Sequence, residues 1–172
     1  MRLFISINLP PEIYPYCREL QTRFPGMKNT EEFHLTLQFL GDDIPEERLP
    51  EIKNRLDGIS FTAFPVTLHE ALPFPNPKAP SGVWIVCRGG VALHQLAERV
   101  RAAMGNLGYL PDERFLPHVT LGRYKKGPPA VPKLIPGESP SFPVDAFHLM
   151  QSYRDPQGPY KTLATFRSGV PR

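Results

Sequence analysis

His34-Leu35-Thr36-Leu37-Gln38-Phe39-Leu40-Gly41 alternates polar and apolar residues, and its reading decides the fold. With a period of two, Phe33, Leu35, Leu37 and Phe39 share one face of a strand, and His34, Thr36 and Gln38 share the other. One face suits burial under helices; the other presents an imidazole and a hydroxyl side by side. The pattern recurs in the second half of the chain as Pro117-His118-Val119-Thr120-Leu121-Gly122-Arg123. Either copy alone reads as an ordinary strand with a polar side. With only 5 histidines in 172 residues, about 0.2 His-x-Thr tripeptides are expected by chance. Two are present, each with apolar residues at the alternate positions, so the pair reads as functional.

Outward from these strands the chain divides into segments of clear periodicity. Residues 2–8 form a strand, and 12–24 a helix with Ile13, Cys17, Leu20 and Phe24 on one side, closed by Pro25-Gly26. Residues 45–57 give a second helix and 61–68 a strand. Beyond a proline-rich loop, residues 83–87 are a short apolar strand. Residues 91–107 form the clearest helix, with a stripe of Val91, Leu93, Leu96, Val100, Met104 and Leu107. The His118 strand, a second proline-rich loop at 127–143, and strands at 144–151 and 160–166 complete the chain. Phe39 and Trp84 are assigned to the core. Strand, helix and histidine strand therefore occur twice, with Phe4 and Trp84 taken as matching positions. Such a degenerate duplication, with halves at roughly 1–72 and 82–172 of one domain spanning 1–172, brings two equivalent strands to opposite sides of one groove.

Composition bounds the function. The chain is 41% hydrophobic and long enough to bury a core. It has no apolar run long enough to span a bilayer and no leader-like N-terminus. Cys17 and Cys87 lack disulfide or zinc-knuckle spacing, and the cytoplasm fits best. A net charge of +3 permits an anionic substrate without demanding one. Proline is the oddity, at 22 residues, but it is concentrated in the two loops rather than spread as in a disordered chain.

Two facing imidazoles can bind a metal or exchange protons. Neither histidine face offers Asp, Glu or Cys to complete a metal site, so no metal or other cofactor is expected. With an ordinary pKa near 6.5, one imidazole can be neutral while the other is protonated. In such a pair one imidazole can take a proton from water as it attacks a cyclic phosphodiester, while the other, on the far side, protonates the departing ribose oxygen. Thr36 and Thr120, two residues on from each histidine, can donate hydroxyls to non-bridging phosphate oxygens. His69, His94 and His148 have no such threonine and receive no catalytic role.

The two tetrads resemble the paired HxTx motifs of the 2H phosphoesterases. The longer context, from Met1-Arg2-Leu3-Phe4-Ile5 through Phe74-Pro75-Asn76-Pro77 to Gly158-Pro159-Tyr160, is similar to the RNA 2′,3′-cyclic phosphodiesterases, also called 2′-5′ RNA ligases. The resemblance implies an α+β fold: two lobes of duplicated antiparallel sheet, related by a pseudo-twofold, with helices outside and a central groove. It implies a metal-independent enzyme that opens RNA 2′,3′-cyclic phosphate ends to 2′-phosphomonoesters, with weak reverse 2′-5′ ligation. His34 becomes the proton donor and His118 the proton acceptor, which periodicity alone does not distinguish. Arg123 becomes a phosphate ligand and Tyr160 an aromatic beside phosphate or base. Arg123 lies five positions after His118, on the opposite face of a regular strand, so it can serve only if the strand bends or ends near Gly122. Tyr160 can equally cap the last strand.

Two positions depart from the family pattern. Met27 stands where a Trp is frequent and Leu116 where a basic residue is frequent, which puts base stacking and backbone contacts in question. The expected partner is an RNA end, for a monomer away from membranes. Two rivals remain: the same chemistry on ADP-ribose cyclic phosphate or a 2′-5′ oligonucleotide, and a catalytically silent module that binds RNA ends.

Overall fold

Leu35 and Val119, the second residues of the two tetrads, pair with each other across an antiparallel bridge. Equivalent residues meeting in this way define a local twofold axis, about which His34 and Thr36 are related to His118 and Thr120. The computed structural model describes residues 1–128, 130–153 and 160–169. In it the bridge joins β3 (His34–Gly41) to β6 (His118–Arg123). The first half supplies β1 (Arg2–Asn8), α1 (Tyr14–Thr22), β2 (Lys28–Asn29), α2 (Leu49–Asp57) and β4 (Phe64–Phe74). The second supplies β5 (Gly82–Arg88), α3 (Gly90–Gly105), β7 (Ser141–Val144), β8 (Ala146–Ser152) and β9 (Lys161–Arg167). The strands form one sheet in the order β7-β4-β5-β6-β3-β1-β8-β9, and β2 also pairs with β6. Read outward from the central bridge, the order is matched on both sides, so the pseudo-twofold extends through the whole sheet.

The lobes of the sheet do not coincide with the halves expected at 1–72 and 82–172. β4 joins the second half's strands as a hairpin partner of β5, while β8 and β9 extend β1. The reason is edge pairing. An open strand edge leaves a row of N–H and C=O groups unpaired, and β8 fills the outer edge of β1 as β4 fills that of β5. The first proline loop begins only after Phe74, because β4 pairs with β7 over residues 64–67 and with β5 over residues 67–74. Within the second loop, Ser141–Val144 is already a strand. It edges the sheet with alternating burial, and its Pro143 suits a strand with one free edge.

The motif strands are not regular, and this corrects the alternation inferred from sequence. Ser6 faces Thr36 but Ile5 faces Gln38, leaving Leu37 as an extra residue. At the related place, Trp84 faces Thr120 and Val83 faces Gly122, leaving Leu121 extra. Each bulge reverses which face the following residues occupy. Gln38 is therefore 2% exposed on the core side, its Nε2 donating to the Tyr109 carbonyl at 2.8 Å. Phe39 turns to the groove and lies under the Arg2 guanidinium at 4.9 Å instead of entering the core. The same registers make Ser6, rather than Phe4, the partner of Trp84 in the repeat.

The opposite face packs under the helices around Phe33, Leu35, Leu37, Val119 and Leu121. α1 contributes Cys17 and Leu20, α2 contributes Ile52 and Leu56, and α3 contributes Leu93, Leu96, Val100 and Met104. Each large apolar side chain so buried is worth about 1.5–3 kcal/mol. Val91, expected in the α3 stripe, is 71% exposed. The helix begins at Gly90 in a left-handed conformation (φ +60°), so Val91 lies in the opening turn before the buried stripe starts at Leu93. Cys17 and Cys87 are free and buried.

Two glycines permit close approaches beside the groove. A Cβ on Gly122 would stand 2.7 Å from the Lys28 carbonyl oxygen. One on Gly82 would run into the Gly122 carbonyl oxygen and stand 2.8 Å from the Phe74 ring. Because both near neighbours include backbone, the strands must separate to accept any side chain. Gly82→Ala is expected to lower stability by about 1–3 kcal/mol, the usual cost of overpacking, and to displace Phe74. A denaturant midpoint unchanged from wild type would refute the close approach.

Candidate active site

His34 and His118 lie half-buried on the groove face, one on each side of the Leu35–Val119 bridge. Each imidazole is held by aromatic rings. His118 stacks on the Trp84 indole with ring centres 3.6 Å apart and planes 14° apart. His34 meets Tyr160 edge to face at 5.0 Å and Phe4 at 4.9 Å. Trp84, assigned to the core from its apolar neighbours, is thus a wall of the groove. Its row explains this: Trp84 is the direct cross-strand neighbour of Thr120, and such neighbours share a face.

The His118 Nδ1–H donates to the Leu116 carbonyl oxygen at 2.7 Å. A carbonyl can only accept, so Nδ1 carries the hydrogen, and in the neutral ring Nε2 is a free acceptor. This is the form a general base requires. Leu116, noted for lacking a basic side chain, acts here through its main chain. Burial lowers the His118 pKa, with Arg123 adding to the effect, while the Leu116 carbonyl and Glu113 oppose it. Burial and then His118 push the His34 pKa down to about 4. A charged His118 thus disfavours a second positive charge on His34.

Thr36 and Thr120 are half-buried beside their histidines, and neither hydroxyl is bonded to another group among the described residues. Both are therefore free to donate to a ligand.

Arg123 reaches the groove face because the Leu121 bulge restores the parity that regular alternation denies it. Its guanidinium lies over the Phe74 ring at 5.4 Å. Phe74 stacks on Trp84 at 4.4 Å, and Trp84 on His118. A continuous column of Arg123, Phe74, Trp84 and His118 thus orients one imidazole and one cation together. Gly82, lying between Phe74 and Arg123 in the same cross-strand row, leaves the space in which Phe74 leans. Sequence reasoning assigns Phe74 no role in the site. The available signal is an aromatic before a proline loop, opposite a glycine.

Tyr160 immediately precedes β9 and packs on His34 and Phe4. Burial raises its pKa, with Glu32 adding, while Arg123 and Arg2 pull the other way. Its hydroxyl therefore lies in the field of both arginines. Gly158-Pro159, quoted with it in the family likeness, falls outside the described residues. His148 lies on the groove face two strands from Thr36, in the row Thr36-Ser6-His148-Thr165, with Nδ1 3.0 Å from the Thr165 hydroxyl. Among the described residues no group of three or more His, Cys, Asp or Glu side chains is arranged to hold a metal ion, and no helix is long and apolar enough to cross a membrane.

The likeness to known proteins covers nearly the whole chain. It is 34% identical to an Archaeoglobus fulgidus RNA 2′,3′-cyclic phosphodiesterase, over 96% of this chain and 99% of that one. A Thermus thermophilus RNA 2′,3′-cyclic phosphodiesterase is 35% identical, over 95% and 87% of the two chains. Among solved structures, a Thermus thermophilus protein superposes with a TM-score of 0.84 at 33% identity, covering 97% of both chains. E. coli LigT complexed with 3′-AMP superposes with a TM-score of 0.80 at 27% identity, again covering 97% of both. The family model of the 2′-5′ RNA ligase superfamily matches residues 9–156. With this match, the paired tetrads and the mirrored sheet, the chain belongs to the 2′-5′ RNA ligase superfamily.

Proposed function

We propose that the chain acts as one catalytic unit, a metal-independent hydrolase that opens RNA 2′,3′-cyclic phosphate ends to 2′-phosphomonoesters. The observation that carries this reading is the symmetric placement of two His-x-Thr tetrads about the Leu35–Val119 bridge. A phosphorus atom on the local axis is flanked by an imidazole on either side, which suits in-line displacement. His118 Nε2 takes a proton from water as the water oxygen bonds to phosphorus. The bond to the 3′ oxygen breaks, and His34 gives that oxygen a proton. Each proton transfer contributes about 10²–10⁴ in rate.

Thr36 and Thr120 donate to the non-bridging oxygens, and Arg123 neutralises their charge. Tyr160 and Phe4 shield His34 from water, so that its proton is delivered to the leaving oxygen. Replacing water by the 5′ hydroxyl of a second RNA gives 2′-5′ ligation with the same groups. The relatives' names support RNA as the substrate, and two unpaired, buried thiols suit the cytoplasm.

Purified protein is expected to convert an oligonucleotide ending in a 2′,3′-cyclic phosphate to the 2′-phosphate, identified by phosphorus NMR. A 3′-phosphate product would reverse the direction of attack assigned here. No turnover of that oligonucleotide, with hydrolysis of ADP-ribose cyclic phosphate, would move the activity to another substrate.

A further inference from the structure

β2 is two residues long, Lys28–Asn29, and both are exposed. It buries little, yet the fold pins it closely to β6. Gln21, 5% exposed, donates from Nε2 to the carbonyls of Thr30 at 2.8 Å and Leu121 at 2.9 Å. The Thr30 amide donates to the same Leu121 carbonyl at 2.9 Å. Gly122 lets the Lys28 carbonyl approach to a distance that no side chain tolerates. A buried glutamine and an obligatory glycine thus hold a strand that adds almost nothing to the core.

What β2 places there is a second cation. Lys28 is the direct cross-strand neighbour of Arg123, and the two share the groove face. The row Phe74, Gly82, Arg123, Lys28 runs across four strands, with Arg123 anchored inward on the Phe74 ring. Like charges directly opposite each other destabilise a strand pair. Among the described residues, neither Lys28 nor Arg123 is relieved by an ion pair with a carboxylate. An uncompensated pair of cations on the groove face favours a ligand carrying two anions.

We propose that Lys28 binds the phosphodiester on the 5′ side of the terminal nucleotide, while Arg123 faces the terminal phosphate. This rests on the reaction assigned above and adds a length requirement: the site takes the end of an RNA chain in preference to a free nucleoside cyclic phosphate. A mononucleotide lacks the second anion and leaves Lys28 unused. Lysine suits the role because its ammonium serves as a point charge on a flexible stem and needs no fixed bidentate geometry.

The test measures binding of unreactive product analogues by calorimetry, for wild type, Lys28→Ala and Lys28→Arg. One ligand is an adenosine dinucleotide ending in a 2′-phosphate; the other is adenosine 2′-monophosphate. Lys28→Ala should weaken the dinucleotide by roughly fivefold, the scale of one exposed charge pair, and the mononucleotide by less than about twofold. Lys28→Arg should restore the dinucleotide. The salt dependence of dinucleotide binding should flatten by about 0.7 in log–log slope, as for one lost phosphate contact on a single strand. Equal weakening of both ligands, or no weakening of the dinucleotide, overturns the proposal. Binding is read without turnover, so failure of the wild-type protein to cleave cyclic phosphate ends would overturn the reaction and leave the role of Lys28 to be decided by this comparison.

Discussion

His118→Ala lowers turnover of a cyclic-phosphate-ended oligonucleotide by at least about a hundredfold, the lower bound for one general acid or base, and His34→Ala does the same. The His118 effect combines loss of the Nε2 acceptor with a gap left beside Trp84. The His34 effect combines loss of the acid with an opening between Phe4 and Tyr160. The double variant should be little worse than the poorer single one, because the two groups serve one displacement and their effects do not add. Circular dichroism and the denaturant midpoint separate chemistry from folding, since neither ring is part of the packed face beneath the sheet. Steady-state rates within about threefold of wild type for either single variant, well short of the general acid–base range, would remove the two-histidine mechanism.

Much of this arrangement is legible in the residues, and the illegible part has two physical origins. The alternation of Phe33, Leu35 and Leu37 with His34 and Thr36 is strict, so face and pairing follow from a period of two. The spacing of Cys17 and Leu20, or of Leu93, Leu96 and Val100, marks helix faces equally well. Alternation fails at Leu37 and Leu121. A bulge adds one residue without altering local composition, and Leu37-Gln38-Phe39 reads as smoothly as any strand. Its consequences, however, include the placement of Gln38, Phe39 and Arg123. Arg123 shares the sheet face of His118 only because one residue is out of step.

Pairing between distant segments is the other source of silence. Trp84 looks like core among Val83, Ile85 and Val86 until β5 is aligned with β6 and its ring falls beside Thr120 and His118. Lys28 looks like a solvated lysine until Gly122 admits β2. In both cases the deciding partner lies tens of residues away. What the sequence does retain is the cause of the close approach: Gly82 and Gly122 stand where any Cβ would meet backbone.

The pH dependence tests the division of labour between the imidazoles. In the free protein both histidine pKa values lie below the ordinary value, His34 at about 4 and His118 lowered chiefly by its burial. The productive form has His34 charged and His118 neutral. Protonation of His118 at low pH removes the base, and loss of the shared proton at higher pH removes the acid, so kcat/KM is bell-shaped. Its limbs belong to the pair rather than to one ring each. Because both rings are lowered, the optimum of kcat/KM falls below pH ~6.5, the ordinary histidine value, and the alkaline limb descends about tenfold per pH unit.

Bound phosphate changes this balance. A nearby anion stabilises the charged imidazole and raises its pKa, so the alkaline limb of kcat lies at higher pH than that of kcat/KM. Arg123 competes for the same negative charge. Arg123→Ala should therefore move the kcat/KM limbs upward while lowering the rate, by removing a cation that disfavours protonation of His118. A pH series from 4 to 9 on one oligonucleotide, for wild type and Arg123→Ala, gives both profiles. Coincident alkaline limbs for kcat and kcat/KM would show that phosphate does not charge His34. A kcat/KM that rises without falling up to pH 9 would leave His118 as a base but take the proton donor away from His34.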